Sequence, residues 1–321
     1  MIRDEAPAWY HQARLRWLDE TYVRFWPRRP CFTDGWGPEV HPKIDESWRT
    51  DEPAAPTIRW VRRLTQGASR LSEGLFESPD VELPAECRVA RVLAVEPRSR
   101  PTRGWVVVLA AWGDEDFSTR QRLIRGINEA GIGALLLENP FYGGRRRVGQ
   151  RGARLRSVHD FLSMGRATVV EARSLMAWAR QRDERVGVAG FSMGAQMAAM
   201  SAVLVPWPVR VVLVASAISP ARVFFDGPLV ADLDAAPLGD GGFERLRQVM
   251  QTFSVLDLPP PHDPTLARLV GTRADAIVPP EDTRAIARHW GASTRWIDDG
   301  HVSALIRRPH AMAQAICDAY A

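Results

Sequence analysis

Three side chains far apart in the chain have the types and the order that attack on an acyl carbon requires: Ser192, Asp275 and His301. The serine sits in Gly190-Phe191-Ser192-Met193-Gly194, preceded by the short apolar run Arg185-Val-Gly-Val-Ala and followed by the small-residue run Ala-Gln-Met-Ala-Ala-Met. A strand, a G-x-S-x-G turn and an immediate helix form a nucleophile elbow, which lifts one hydroxyl above the end of a sheet. Glycines are needed on both sides because the strand and helix backbones approach closely around a strained residue. A serine hydroxyl is a weak nucleophile at neutral pH, so it needs a base, and the base needs an acid to orient it. Ala267–Gly271 is an apolar strand with Asp275 in the loop behind it, and 293–298 is a further strand leading to Gly300-His301. An acid after one parallel strand and a histidine after the next fall at the same sheet edge as the elbow.

Other candidates fit less well. Asp298 and Asp299 stand too close to His301 along the chain to orient it, and read as solvated strand-end charges. His289 lies in the helical stretch 281–290 and His310 in a similar one; His11, His41 and His262 have no triad context. An oxyanion needs backbone donors: the Met193 N–H after the nucleophile, and a second from the loop that leaves the strand Trp105–Ala110. Trp112 N–H is the candidate there, with Ala111 as the alternative.

These residues need a scaffold of alternating strands and helices. Strands are expected at 87–95, 105–110, 132–137, 186–190, 209–215, 266–271 and 293–298. Such alternation is the mark of an α/β fold: a mostly parallel sheet with helices on both faces, here the α/β-hydrolase fold. About 50 residues separate the strands at 209–215 and 266–271, more than a crossover needs, so a short cap insertion is expected at about 219–264. Phe224 is a candidate for its apolar lining. The expected division is a Trp-rich N-terminal extension over 1–73 and a hydrolase domain over 74–321. In the extension, Leu15, Leu18, Tyr22 and Phe25 fall at helical spacing, so 8–26 reads as an amphipathic helix that either docks on the core or touches a membrane surface.

Composition supports a globular chain: 321 residues, 45% hydrophobic and 25% charged, with a net charge of only +4. So modest a positive excess, spread along the chain, argues against nucleic-acid binding. Three scattered cysteines offer neither metal spacing nor a disulfide framework, and no apolar leader opens the chain, so a cytoplasmic location is expected. Gly131-x-Gly133 precedes a strand instead of following one and is no dinucleotide fingerprint. No metal or organic cofactor is implied. The one dense charge cluster, Arg145-Arg146-Arg147, follows the turn Glu138-Asn-Pro-Phe-Tyr142-Gly-Gly near the catalytic edge. It reads either as a solvated loop or as an anion-binding wall, which makes Arg145 and Tyr142 candidate substrate-binding residues. Ser157-x-x-Asp160 resembles a helix-capping box.

Several linked motifs together resemble the α/β-hydrolase domain-containing protein 18 family. They are Ala110-Ala-Trp-Gly-Asp114, Glu138-Asn-Pro-Phe-Tyr142-Gly, Val158-His-Asp160-Phe-Leu-Ser-Met164-Gly, the Ser192 elbow, Asp275-Ala-Ile-Val-Pro, and Gly300-His301-Val-Ser-Ala304. The resemblance runs from about Gly74 to the C-terminus. It implies a serine hydrolase with Ser192, Asp275 and His301 at the triad positions, and lipid acyl esters as the substrate class. The sequence departs from the pattern at Ala111, where a glycine is typical, at Ala195-Gln196 in place of a Gly-His pair, and in a shorter cap. The expectation is therefore an esterase acting through an acyl-serine on a small-molecule or lipid ester. A peptidase or acyltransferase on the same scaffold, or a catalytically silent lipid-binding protein, are its rivals.

Overall fold

The computed structural model describes residues 8–25, 30–38 and 49–321. The runs Trp105–Leu109, Gly133–Leu137 and Val186–Phe191 are buried at every position, as strands covered on both faces must be. Side chains alternate between the two faces, as the period of two dictates. Val107, Leu109, Val188 and Leu213 join one core, while Val106, Val108, Ala189 and Val212 join the other.

The chain begins with α1 (Ala8–Phe25), then β1 (Arg59–Gln66), β2 (Ser69–Glu77), β3 (Val89–Pro97), β4 (Trp105–Leu109), α2 (Ser118–Leu123) and β5 (Gly133–Leu137). It continues through α3 (Val158–Arg180), β6 (Val186–Phe191), α4 (Met193–Val203), β7 (Arg210–Val214), α5 (Pro220–Phe225) and α6 (Gly242–Gln251). Then come β8 (Ala267–Thr272), α7 (Pro280–Trp290), β9 (Ser293–Ile297), α8 (His301–Arg307) and α9 (His310–Tyr320). All nine strands form one sheet in the order β1-β2-β3-β5-β4-β6-β7-β8-β9. Pairing is antiparallel from β1 to the β3–β5 pair and parallel from there on. Helices α3, α4 and α7 pack on one face, and α2 and α9 on the other.

Two expectations about the N-terminal part need correction. The boundary at 73/74 falls inside β2, because β1 and β2 form a hairpin continuous with the sheet. In α1 the inward stripe is Leu15, Asp19 and Val23, at i, i+4 and i+8, while Leu18, Tyr22 and Phe25 face outward. Trp26, Trp48 and His41 lie outside the described residues, as does the side chain of His11. The cap insertion holds α5, α6 and short 3₁₀ turns; Phe224, Leu246 and Met250 are among its buried residues. Backbone bonds from Cys31 to Asp232 and from Asp234 to Cys31 strap the N-terminal segment to it.

The arginine cluster is not an anion-binding wall. Arg145 is fully buried, its guanidinium forked on Glu171 of α3 at 2.7 and 2.5 Å, with further bonds to the carbonyls of Cys87 and Glu138. Arg146 pairs with Glu115 at 3.2 Å and Arg147 with Asp160 at 3.0 Å. Tyr142 is also fully buried, its hydroxyl 3.4 Å from the Gly113 N–H. Neither Tyr142 nor Arg145 lines the cleft beside Ser192. The physical reason is that acidic partners distant along the chain consume the positive charges. The Ser157 side chain does cap α3, accepting from Asp160 N–H at 3.1 Å.

Removing one member of a buried pair leaves the other charge uncompensated, at a cost of about 3–5 kcal/mol. Glu171→Gln, which preserves shape, is expected to lower unfolding free energy by about that amount in urea titration. The Arg145→Met/Glu171→Met double variant should lose less than either single change; a near-zero effect of Glu171→Gln refutes the pair's structural role.

Candidate active site

The elbow is dictated by two close approaches. A Cβ on Gly190 would run into the carbonyl group of Gly194, and one on Gly194 into the carbonyl of Leu109. With both glycines in place, Ser192 is held at φ 57°, ψ −125°, a conformation that costs on the order of 1–3 kcal/mol for a non-glycine residue. Its N–H donates to Val214 O of β7 at 2.9 Å, and its carbonyl accepts from Ala195 and Gln196 as α4 starts. The side chain is thereby placed at the carboxyl edge of the sheet, partly exposed.

Asp275 follows β8 and is fully buried, and four donors saturate its carboxylate. Oδ1 accepts from the N–H groups of Ile277 at 2.9 Å and Val278 at 2.7 Å; Oδ2 accepts from Thr272 Oγ1 at 2.7 Å and His301 Nδ1 at 2.8 Å. An Nδ1 facing a carboxylate carries the proton, which leaves the lone pair of the neutral ring on Nε2. The ring of Phe191, the residue before Ser192, packs on the imidazole with centroids 4.8 Å apart. Nε2 has no protein hydrogen bond among the described residues, the Ser192 hydroxyl included, and such contacts commonly tighten only when substrate closes the site.

Burial alone would pull the His301 pKa down. The Asp275 carboxylate, through its charge and its hydrogen bond, and the Asp19 charge beyond it turn the balance upward from the ordinary 6.5. Asp19 of α1 stands behind both loops. Its Oδ2 accepts from Ala276 N–H at 3.1 Å and His301 N–H at 2.7 Å, and its Oδ1 from Val302 N–H at 2.9 Å.

The hydroxyl opens on a cleft with almost wholly apolar walls, including Phe161, Leu162, Met197, Phe224 and Phe253. Trp112 lies against Phe224 with ring centroids 5.2 Å apart, so its indole forms a wall of this cleft. The N–H groups of Met193 and Trp112 have no protein acceptor among the described residues. Asp114 and the fully buried Arg120 pair at 2.8 Å, and Arg120 also binds the carbonyls of Val108, Leu137 and Asp116, which fixes the loop carrying Trp112. Gln196, part of the departure from the family pattern, lines the cleft and donates through Nε2 to Phe253 O at 2.9 Å.

The competing histidines and carboxylates are employed elsewhere. His289 Nε2 meets Leu258 O at 2.8 Å. Asp298 is an exposed partner of Arg273, as a strand-end charge should be, whereas Asp299 is buried and paired with Arg307 and Arg308. Asp19 was missed by sequence reasoning. Its only signal was a carboxylate between Leu15 and Val23 at spacings of four.

The family profile described as "Alpha/beta hydrolase domain containing 18" matches residues 31–238 and 240–321. Among solved structures, the chain is similar to an acetyl xylan esterase from Paenibacillus sp. R4, with 16% identity, TM-score 0.57, and coverage of 85% of this chain and 96% of that one. It is also similar to acetyl xylan esterase 1 from Thermoanaerobacterium sp. JW/SL YS485 (16% identity, TM-score 0.54, 86% and 98% covered). A third is a cold-adapted esterase from an Arctic intertidal metagenomic library (12% identity, TM-score 0.52, 81% and 98% covered). At these identities the likeness speaks for the fold.

A ring titration followed by NMR is expected to place the His301 midpoint above 6.5, and Asp275→Asn to move it down. Because the folded-state pKa is the higher one, this group contributes stability below about pH 6.5 that is lost as pH rises through the folded midpoint. A wild-type midpoint at or below 6.5 refutes the assigned electrostatics.

Proposed function

The chain belongs to the alpha/beta hydrolase domain containing 18 family, a hydrolase family, and from that premise we propose that it is a serine esterase cleaving lipid acyl esters through an acyl-serine. The observation that carries this reading is the hydrogen-bonded Asp275–His301 pair, packed on Phe191 beside a strained Ser192 that opens on an apolar cleft.

In the proposed reaction the Ser192 hydroxyl attacks the ester carbonyl carbon while His301 Nε2 takes its proton. The resulting imidazolium is stabilised by Asp275, which keeps its own charge. The oxyanion accepts from the Met193 and Trp112 N–H groups; one such donor is commonly worth about 10²–10³ in rate. Collapse expels the alcohol, which receives the proton from Nε2, and leaves the acyl group on Ser192. Water activated by the same imidazole then releases the carboxylic acid. His301 must be neutral to act, so the acid limb of kcat/KM follows its raised pKa and lies above 6.5.

The cleft supports an acyl chain over a charged leaving group. Its lining is hydrocarbon and thioether, and its one amide, Gln196, is already satisfied by Phe253 O. With Arg145 buried, no arginine of that cluster reaches the cleft to hold an anionic head group. Contact of the exposed outer face of α1 with a membrane surface is a compatible means of presenting such a substrate, and no helix among the described residues is long and apolar enough to cross a membrane.

A fluorophosphonate is expected to label the wild type and not Ser192→Ala; persistent labelling would place the nucleophile elsewhere. Along a series of p-nitrophenyl esters, kcat/KM should climb with acyl length, since each buried methylene contributes about 0.8 kcal/mol, or roughly fourfold. A flat or acetyl-favouring series rejects the lipid substrate class.

A further inference from the structure

We infer that Asp19, on an N-terminal helix that precedes the matched region of the family, is a positioning residue that locks His301 against Asp275. The inference rests on the reading of Ser192, Asp275 and His301 as the reacting group. The carboxylate is completely buried, and it sits at the middle of the inward stripe of α1, between Leu15 and Val23. Burying a carboxylate is costly unless its charge is met by donors. Here the donors are three backbone N–H groups and belong to the two loops that carry the acid and the base.

The geometry is specific. Ala276 is the residue after the acid, and His301 and Val302 are the base and its successor. One oxygen, Oδ2, therefore bridges the acid loop to the base itself, 2.7 Å from the His301 N–H. The His301 and Val302 N–H groups open α8 and have no partner within that helix, so Asp19 also caps it. A negative charge there agrees with the positive end of the helix. Gly300 is required by the same contact, because a Cβ at that position would sit 2.7 Å from Asp19 Oδ2. Besides this clamp, the ring is held by its Nδ1 bond to Asp275 and by packing on Phe191. A shift of about 1 Å in a reacting group commonly costs on the order of 10²-fold in rate.

The family match begins at residue 31, whereas α1 ends at Phe25. The clamp therefore belongs to a part of this chain that the family profile does not cover. It makes the docking of α1 a condition for an aligned triad, and not merely a cover on the fold.

Three full-length variants test this. Asp19→Ala is expected to lower kcat for a short ester about 10²-fold with KM within about threefold, because the cleft walls named above come from other elements. Asp19→Asn, which keeps the shape but turns one acceptor into a donor against an N–H, should fall between, and it serves should Asp19→Ala not fold. Leu15→Ala removes packing from the same stripe, so it should lower Tm while keeping kcat. The Nδ1–H proton resonance of His301 should move or vanish in both Asp19 variants and persist in Leu15→Ala. Wild-type rates of turnover and of fluorophosphonate labelling in a folded Asp19 variant, or kcat losses in Leu15→Ala as large as those in Asp19→Ala, overturn the inference. If the wild type neither turns over esters nor takes the label, the esterase reading falls instead. An Nδ1–H signal unchanged in the Asp19 variants then still refutes the clamp.

Discussion

The contact on which the site depends is between two backbones. β6 and α4 meet so closely around Ser192 that Gly190 has no room for a Cβ, and the carbonyl of Leu109 at the end of β4 denies one to Gly194. That packing forces the serine into a left-handed conformation an ordinary turn would avoid, and sheet bonds to β7 hold it there. The strain is local, whereas what sustains it is global. Strands buried on both faces and a helix built mostly of alanine and methionine give the elbow walls that do not yield. Small residues in α4 are thus a steric requirement of the placement of Ser192 as much as a helix preference.

The same edge of the sheet is stiffened by buried charge. Arg120 with Asp114, Arg145 with Glu171 and Asp275 with His301 are each taken out of water and each surrounded by further donors or carbonyls. Pairs of this kind contribute little net stability, since desolvation offsets most of the attraction. What they supply is a unique position, because a slipped register would leave a charge uncompensated in hydrocarbon. The first fixes the loop that carries Trp112, the second fixes the turn after β5, and the third fixes the base.

The parts of this arrangement that were legible in the sequence are the local ones. The elbow, the acid behind β8 and the histidine behind β9 show because a short apolar run, a glycine and a polar loop lie next to one another in the chain. The central strands show for the same reason. The hairpin β1–β2 did not, since Arg59–Gln66 has no fully buried position and carries three arginines, so its pattern is that of a solvated edge. The arginine cluster was misleading because its partners, Glu171, Glu115 and Asp160, are set by tertiary contact and not by spacing. Tyr142, a candidate for substrate binding by its place in the turn after β5, is instead folded inward by that turn.

Asp19 is the extreme case of a role that local sequence cannot carry. It lies 282 positions from the histidine whose N–H it accepts. By hydrophobic periodicity it belongs to the polar side of α1, and Leu18, Tyr22 and Phe25 to the core side. The structure reverses this, turning those apolar residues outward and the carboxylate inward. Leu15 and Val23 are buried on the same side, so the inward face combines apolar packing with the three N–H donors that meet the carboxylate. An apolar face left exposed on one side and a buried carboxylate on the other are therefore two consequences of one rotation. The three N–H groups that Asp19 satisfies offset the cost of burying its charge.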